Sequence, residues 1–208
     1  MAEDLLHPLE NSKTLEEVGF GYFNDLASKS FFQHSGCGNF NQHFVMHVLV
    51  HDLATWLGGE FYFRTEVLGK DTKIATKTRH LSFSKFSDPI SANFDIFGRI
   101  KCLRTISPIY LWDDPFNKEK ASCSILSKLK YLRVLKFGNF EGLDAFLDSI
   151  DELIHLRYLD LSSTSIKILP ESLCNLYNLQ TLKLFNCNNL TRLPNDMQNL
   201  VNLHNLEI

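Results

Sequence analysis

The last third of the chain repeats itself. Four segments share one grammar: Leu132-Arg133-Val134-Leu135-Lys136-Phe137, Leu156-Arg157-Tyr158-Leu159-Asp160-Leu161, Leu179-Gln180-Thr181-Leu182-Lys183-Leu184 and Leu203-His204-Asn205-Leu206-Glu207-Ile208. Their starts lie 24, 23 and 24 residues apart. A unit this short cannot bury its own apolar side, so it must stack on copies of itself. Side chains alternate across a strand, so the leucines turn inward while the residues between them form outward columns.

A period of this length with an L-x-x-L-x-L core is the mark of leucine-rich repeats. The convex half agrees. Leu169-Pro170 and Leu193-Pro194 fall ten and eleven residues after Leu159 and Leu182, followed by Leu173 and Leu176, then Met197 and Leu200. The position usually held by Asn, whose amide satisfies backbone groups at the bend, holds Thr164 in one repeat and Cys187 in the next. A Thr hydroxyl can take over that role, and a thiol does so weakly. Upstream, Arg79-His80-Leu81-Ser82-Phe83 and Cys102-Leu103-Arg104-Thr105-Ile106 align on the later strands with a weaker pattern. An irregular stretch, Tyr110 to Phe116, separates them from the regular repeats.

The first sixty residues read differently. They hold eight acidic and two basic side chains, against sixteen and nineteen in the remainder. Thr14-Leu15-Glu16-Glu17 fits a capping box, and Leu15, Val18, Tyr22 and Leu26 recur at helical spacing, which predicts a helix over 14–29. Ser30 to Gln33 predicts a strand, Ser35 to Asn39 a turn, Phe44 to Met46 a return strand, and Val48 to Leu57 a helix closed by Gly58-Gly59. Helix, hairpin, helix is compatible with a winged helix. Many such units bind DNA, but this one is acidic and the whole chain carries −3, which argues against nucleic acid as a partner. Five scattered cysteines without a C-x-x-C predict free thiols in a reducing compartment. No apolar run is long enough to span a bilayer. A cytoplasmic protein is expected.

Read together, the halves carry a resemblance. Phe44-Val45-Met46-His47-Val48-Leu49-Val50-His51-Asp52-Leu53-Ala54 resembles the "MHD" region of plant nucleotide-binding leucine-rich-repeat immune receptors of the coiled-coil class. Glu16 to Gln33 is similar to the winged-helix segment before it, and Leu156 to Pro170 to the start of the recognition domain. The resemblance covers nearly the whole chain and implies a piece of such a receptor. It also implies that His47, matching the MHD histidine, reaches the phosphates of ADP. Val48 stands where the family has the aspartate that helps hold the closed state, and it can neither accept a hydrogen bond nor carry charge. ADP and ATP are therefore expected as ligands of the full-length family rather than of this segment alone. No G-x-x-x-x-G-K-[ST] loop occurs in these residues to cradle phosphates, so catalysis by this chain is not expected. His43, His47 and His51 recur every four residues, but Val48 stands where a zincin needs its Glu, so no metal site is expected.

The fold expected is α/β: a winged-helix segment at 1–60, a connector with a short strand near Phe61 to Phe63 at 61–77, and a leucine-rich-repeat solenoid at 78–208. Its repeats are atypical over 78–131 and regular from 132. Three outward columns follow from the spacing: Arg133, Arg157, Gln180, His204; Val134, Tyr158, Thr181, Asn205; and Lys136, Asp160, Lys183, Glu207. Adjacent Arg and Tyr side chains are common on protein-binding surfaces. Arg133, Lys136, Arg157, Tyr158, Asp160, Gln180 and Lys183 are the candidate protein-contact residues, the partner being a pathogen effector, a guarded host protein or another domain of the same receptor. The alternative is a stand-alone repeat module acting as adaptor or decoy.

Overall fold

A computed structural model describes residues 6, 14–35, 43–69, 71–86, 94–109, 128–139, 143 and 147–208. The chain divides into two units, Met1–Gly59 and Glu60–Ile208.

In the first unit, helix α1 (Leu15–Ser28) starts where Thr14 caps it. The Thr14 hydroxyl accepts from the Glu17 amide at 3.2 Å, and the Glu17 carboxylate accepts from the Thr14 amide at 2.8 Å. Both halves of the capping box are thus made, satisfying two amides that a helix start otherwise leaves orphaned. Strands β1 (Phe32–Ser35) and β2 (His43–Met46) pair antiparallel, with Phe32 opposite Met46. The expected turn at Ser35–Asn39 lies, beyond Ser35, outside the described residues. Phe23 joins the helix to this hairpin, stacking on Phe32 at 5.3 Å and meeting Phe44 edge-on at 4.7 Å. Helix α2 (Val48–Gly58) follows, closed by Gly59 at φ +47°, a conformation open to glycine. None of its residues is buried, and Val48, Leu49, Leu53, Trp56 and Leu57 are exposed.

The second unit is a seven-stranded parallel sheet whose strands lie in chain order: β3 (Tyr62–Leu68), β4 (His80–Phe86), β5 (Thr105–Pro108), β6 (Val134–Lys136), β7 (Tyr158–Asp160), β8 (Thr181–Lys183) and β9 (Asn205–Glu207). The first of these comes from the stretch read in the sequence as connector. The register places Phe63, Leu81, Ile106, Leu135, Leu159, Leu182 and Leu206 in one inward row. Leu135, Leu159 and Leu182 are fully buried. One tight turn precedes each of β6 to β9, with Leu132, Leu156, Leu179 and Leu203 donating to the carbonyls of Leu129, Leu153, Leu176 and Leu200.

Thr78 holds the equivalent place before β4. It is completely buried, donating its hydroxyl to the Glu60 carbonyl at 3.1 Å and its amide to Ala75 at 3.0 Å. A polar side chain is tolerated there because its hydrogen bond is made.

The convex side returns through short 3₁₀ turns at Ile150–Glu152, Glu171–Asn175 and Met197–Asn199. At the bend, the Thr164 hydroxyl donates to the Leu161 carbonyl at 2.7 Å, and the Cys187 thiol donates to the same oxygen at 3.1 Å. Asn139, Ser163 and Asn186 each take a left-handed φ, 63°, 57° and 60°, immediately beyond the strands. The irregular segment at Tyr110–Phe116 lies outside the described residues.

Leu182 sits between Leu159 and Leu206, whereas Leu206 is 41% exposed at the sheet edge. Leu182→Ala should therefore cost about 3–4 kcal/mol in urea unfolding and Leu206→Ala less than about 1 kcal/mol. Equal losses would show that the edge is covered in solution.

A candidate recognition face and a candidate nucleotide contact

The outward columns are set by backbone hydrogen bonds. The residue just ahead of each strand accepts from the next repeat: Arg79 O takes the Arg104 amide at 2.7 Å, Arg104 O that of Arg133 at 2.7 Å, Arg133 O that of Arg157 at 2.9 Å, and Arg157 O that of Gln180 at 2.8 Å. The column read from the regular repeats as beginning at Arg133 thus extends upstream by two arginines. Four consecutive repeats present Arg79, Arg104, Arg133 and Arg157 in one register. All four are half-buried. The guanidinium of Arg79 lies over the Phe61 ring, 4.5 Å from its centre. The signal was present in the sequence, since Arg79 and Arg104 each precede an aligned strand. The unequal spacing of the early repeats hid their membership of the column.

The second column runs Tyr62, His80, Thr105, Val134, Tyr158, Thr181, Asn205. Tyr62 stacks on His80 at 4.5 Å, and His80 Nδ1 lies 3.1 Å from the Thr105 hydroxyl. Burial pushes the Tyr158 phenol well above its ordinary value, and the nearby charges of Asp160 and Glu207 push it further. Tyr158 therefore keeps its proton and remains able to donate.

The third column aligns Lys136, Asp160, Lys183 and Glu207 as expected. Their alternating charges do not become a continuous ladder of ion pairs. Lys183 and Glu207 meet at 2.8 Å. Asp160 instead accepts from the Ser162 amide at 3.0 Å, drawn to its own turn, and the Lys136 ammonium lies over the Tyr158 ring at 5.7 Å. Gln180 follows Arg157 one repeat on, its backbone bridging Arg157 and His204, and its side-chain Oε1 is buried without a hydrogen-bond partner.

His47 is the cap of α2 rather than a residue on its face. Its Nδ1 accepts from the Leu49 amide at 3.3 Å, which requires the proton to sit on Nε2. Its own amide donates to the Phe31 carbonyl at 3.0 Å, tying the cap to the hairpin. Val48 is the first residue of the helix, with its side chain exposed. His51 lies one turn on, its Nδ1 3.4 Å from an Asp52 carboxylate oxygen. The two imidazoles are engaged separately. Among the described cysteines, Cys102, Cys174 and Cys187 are free, and burial, with Glu171 and Asp196 adding, pushes the Cys174 thiol up, which disfavours its thiolate. Among the described residues no helix is long and apolar enough to cross a membrane.

Comparison with known proteins bears on both units. Residues 1–54 match the disease resistance protein winged helix domain, and residues 115–208 match a leucine-rich repeat region. A disease resistance protein of Arabidopsis thaliana is 40% identical over 196 residues, covering 91% of this chain and 13% of that protein. RPP13-like protein 1 of the same plant, also named for disease resistance, is 34% identical over 88% of this chain and 17% of its own length. RGA1 of Solanum bulbocastanum, named likewise, is 35% identical over 71% of this chain and 12% of its own length. The chain thus spans less than a fifth of these relatives. A leucine-rich-repeat protein of Leptospira interrogans shares the fold, with a TM-score of 0.52 and 21% identity over 68% of this chain and 34% of its own.

The raised value at Tyr158 has a pH consequence. The folded state holds that proton more tightly than the unfolded state, whose phenol titrates near 10. The resulting stabilisation is complete below about pH 10 and is lost as pH rises beyond it. Tyr158→Phe should flatten the alkaline fall in the urea midpoint, and an unaltered alkaline slope would assign that fall elsewhere.

Proposed function

We propose that this chain, which belongs to the plant disease-resistance proteins carrying a winged-helix domain and leucine-rich repeats, works by protein recognition coupled to a nucleotide switch. The observation that carries the reading is the unbroken register of outward polar side chains over consecutive repeats, with Arg133, Arg157 and Gln180 in one column and Tyr158 and Lys136 in the next two. Half-buried guanidinium and phenol groups held on a rigid sheet are what a protein interface uses for its anchors. The partner is a pathogen effector, a guarded host protein or another domain of the same receptor. In the last case the same face restrains the receptor. The site of action is the cytoplasm, which suits thiols left unpaired at Cys102, Cys174 and Cys187.

The winged-helix unit would act on the switch. With Nδ1 occupied by the Leu49 amide, His47 has only an Nε2–H to offer, and an ADP phosphate oxygen accepts such a donor. Val48 offers nothing in the place of the family's aspartate, so a receptor carrying it holds its ADP-bound state less firmly. The chain's own residues bind and position in this scheme, and the nucleotide's chemistry belongs to other parts of the receptor.

Two experiments on a full receptor containing this chain test the reading. Arg157→Glu combined with Tyr158→Ala should weaken partner binding by at least about tenfold, as expected when two anchors are lost. Unchanged binding and unchanged immune output would overturn the recognition role. Val48→Asp should lengthen ADP retention, and retention equal to that of the parent would remove Val48 from the switch.

A further inference from the structure

Strand β3 closes one side of the sheet and is built unlike the strands at the other. It runs for seven residues, Tyr62–Leu68, where β6 to β9 have three each. It pairs with β4, and among the described residues no strand occupies its other edge. Such an edge presents a row of main-chain donors and acceptors, which proteins ordinarily blunt with short strands, proline or lysine. β3 uses none of these. Its two charges, Arg64 and Glu66, are opposite in sign, stand on one face and are exposed. Among the described residues neither side chain makes a hydrogen bond or an ion pair. Phe63, Thr65 and Val67 alternate with them on the inward side, where Phe63 packs partly against the core and Val67 stays 38% exposed.

We propose that this edge is a docking surface for a second copy of the chain, the two β3 strands pairing antiparallel about a two-fold axis through Thr65. Charge complementarity sets the register. With Thr65 opposite its own copy, Arg64 falls opposite the partner's Glu66, and Glu66 opposite the partner's Arg64. Two ion pairs form at once. On the inward side Phe63 meets the partner's Val67, and Val67 the partner's Phe63, an aromatic ring against a β-branched side chain both times.

Other registers are excluded by the same residues. A slip of two residues one way sets Arg64 against Arg64, and the other way Glu66 against Glu66. Like charges directly opposite are unfavourable. A slip of one residue joins the outward face of one chain to the inward face of the other, setting charged residues where the core lies. In the favoured register the axis stands perpendicular to the sheet. Both outward faces then point the same way, and two seven-stranded sheets become one. The size of the contact sets its strength. One strand edge buries less than the ~1,200 Å² of a standard interface, so a reversible dimer in the micromolar range is expected.

Charge reversal tests the pairing, since both side chains are exposed and the core is untouched. Sedimentation velocity of the intact chain over about 5 to 200 µM should show the mean mass climbing toward twice the monomer's. Arg64→Glu and Glu66→Arg each set like charges face to face and should raise the dissociation constant at least about tenfold. Mixed in equal amounts, the two variants oppose unlike charges at both positions, so the mixture should dimerise as the parent does. Thr65→Cys should give, on mild oxidation, a disulfide-linked dimer that the parent does not give. Opposed residues of an antiparallel pair have Cα atoms about 4.5–5.5 Å apart, within disulfide reach. A parent that stays monomeric would overturn the pairing. So would single variants that associate like the parent, a mixture that stays monomeric although melting curves show both variants folded, or no crosslink at Thr65→Cys. The pairing stands independently of the recognition role, because none of Arg133, Arg157, Tyr158 and Gln180 lies on β3.

Discussion

Burial of one side chain per strand between its counterparts on two neighbouring strands holds the repeat unit together. Leu135, Leu159 and Leu182 are each covered on both sides and are fully buried. Leu206 has a neighbour on one side only and remains partly open. Stability in such an array is close to a sum of nearest-neighbour terms, so each repeat depends chiefly on the two beside it. Each burial also fixes the register. A slip of one residue would turn Lys136, Asp160 and Lys183 into the core and Leu135, Leu159 and Leu182 out of it.

The outward face follows from that register. Carbonyls of residues ahead of each strand accept two amides from the next: Arg133 O receives those of Arg157 and Tyr158, and Arg157 O those of Gln180 and Thr181. A side chain attached to such a doubly bonded unit has little freedom at its base. Columns of like residues are therefore positioned by the main chain, and their tips are left to contact a partner. The winged-helix unit obtains its geometry from different sources. There a capping box, three phenylalanine rings and the bond from the Leu49 amide to His47 replace the repeated stack.

Much of this was legible in the sequence, and the exceptions have physical causes. Strands β6 to β9 follow from the spacing of 24, 23 and 24 residues. Strand β3 was partly concealed because Glu60 occupies the place that Leu132 and Leu156 hold before later strands. The leading repeat can accept a charge there because no earlier repeat covers it, and the Glu60 carbonyl still receives the Thr78 hydroxyl. In α1 the apolar spacing identified the helix but not its contact. Leu26 remains exposed, and Phe23 supplies the rings' meeting point. Lys136 and Asp160 share a column as read from the spacing, but an amide two residues away takes the carboxylate, an effect that residue spacing does not encode. For His47 the resemblance suggested a role, whereas the tautomer that constrains it came only from the structure.

The separation of inward and outward residues has a consequence for how such a chain changes over generations. Arg133, Lys136, Arg157 and Lys183 stand outside the inward row of leucines, so exchanges there leave that stack in place. The inward leucines have no such latitude, since shortening any one opens a cavity beside its neighbours. Mutations can therefore explore new partner preferences on one side of the sheet while the other side preserves the scaffold. Tyr158 adds a constraint within the outward face: lying beneath the Lys136 ammonium, it ties two columns together, so inherited variation at either position changes the surroundings of the other.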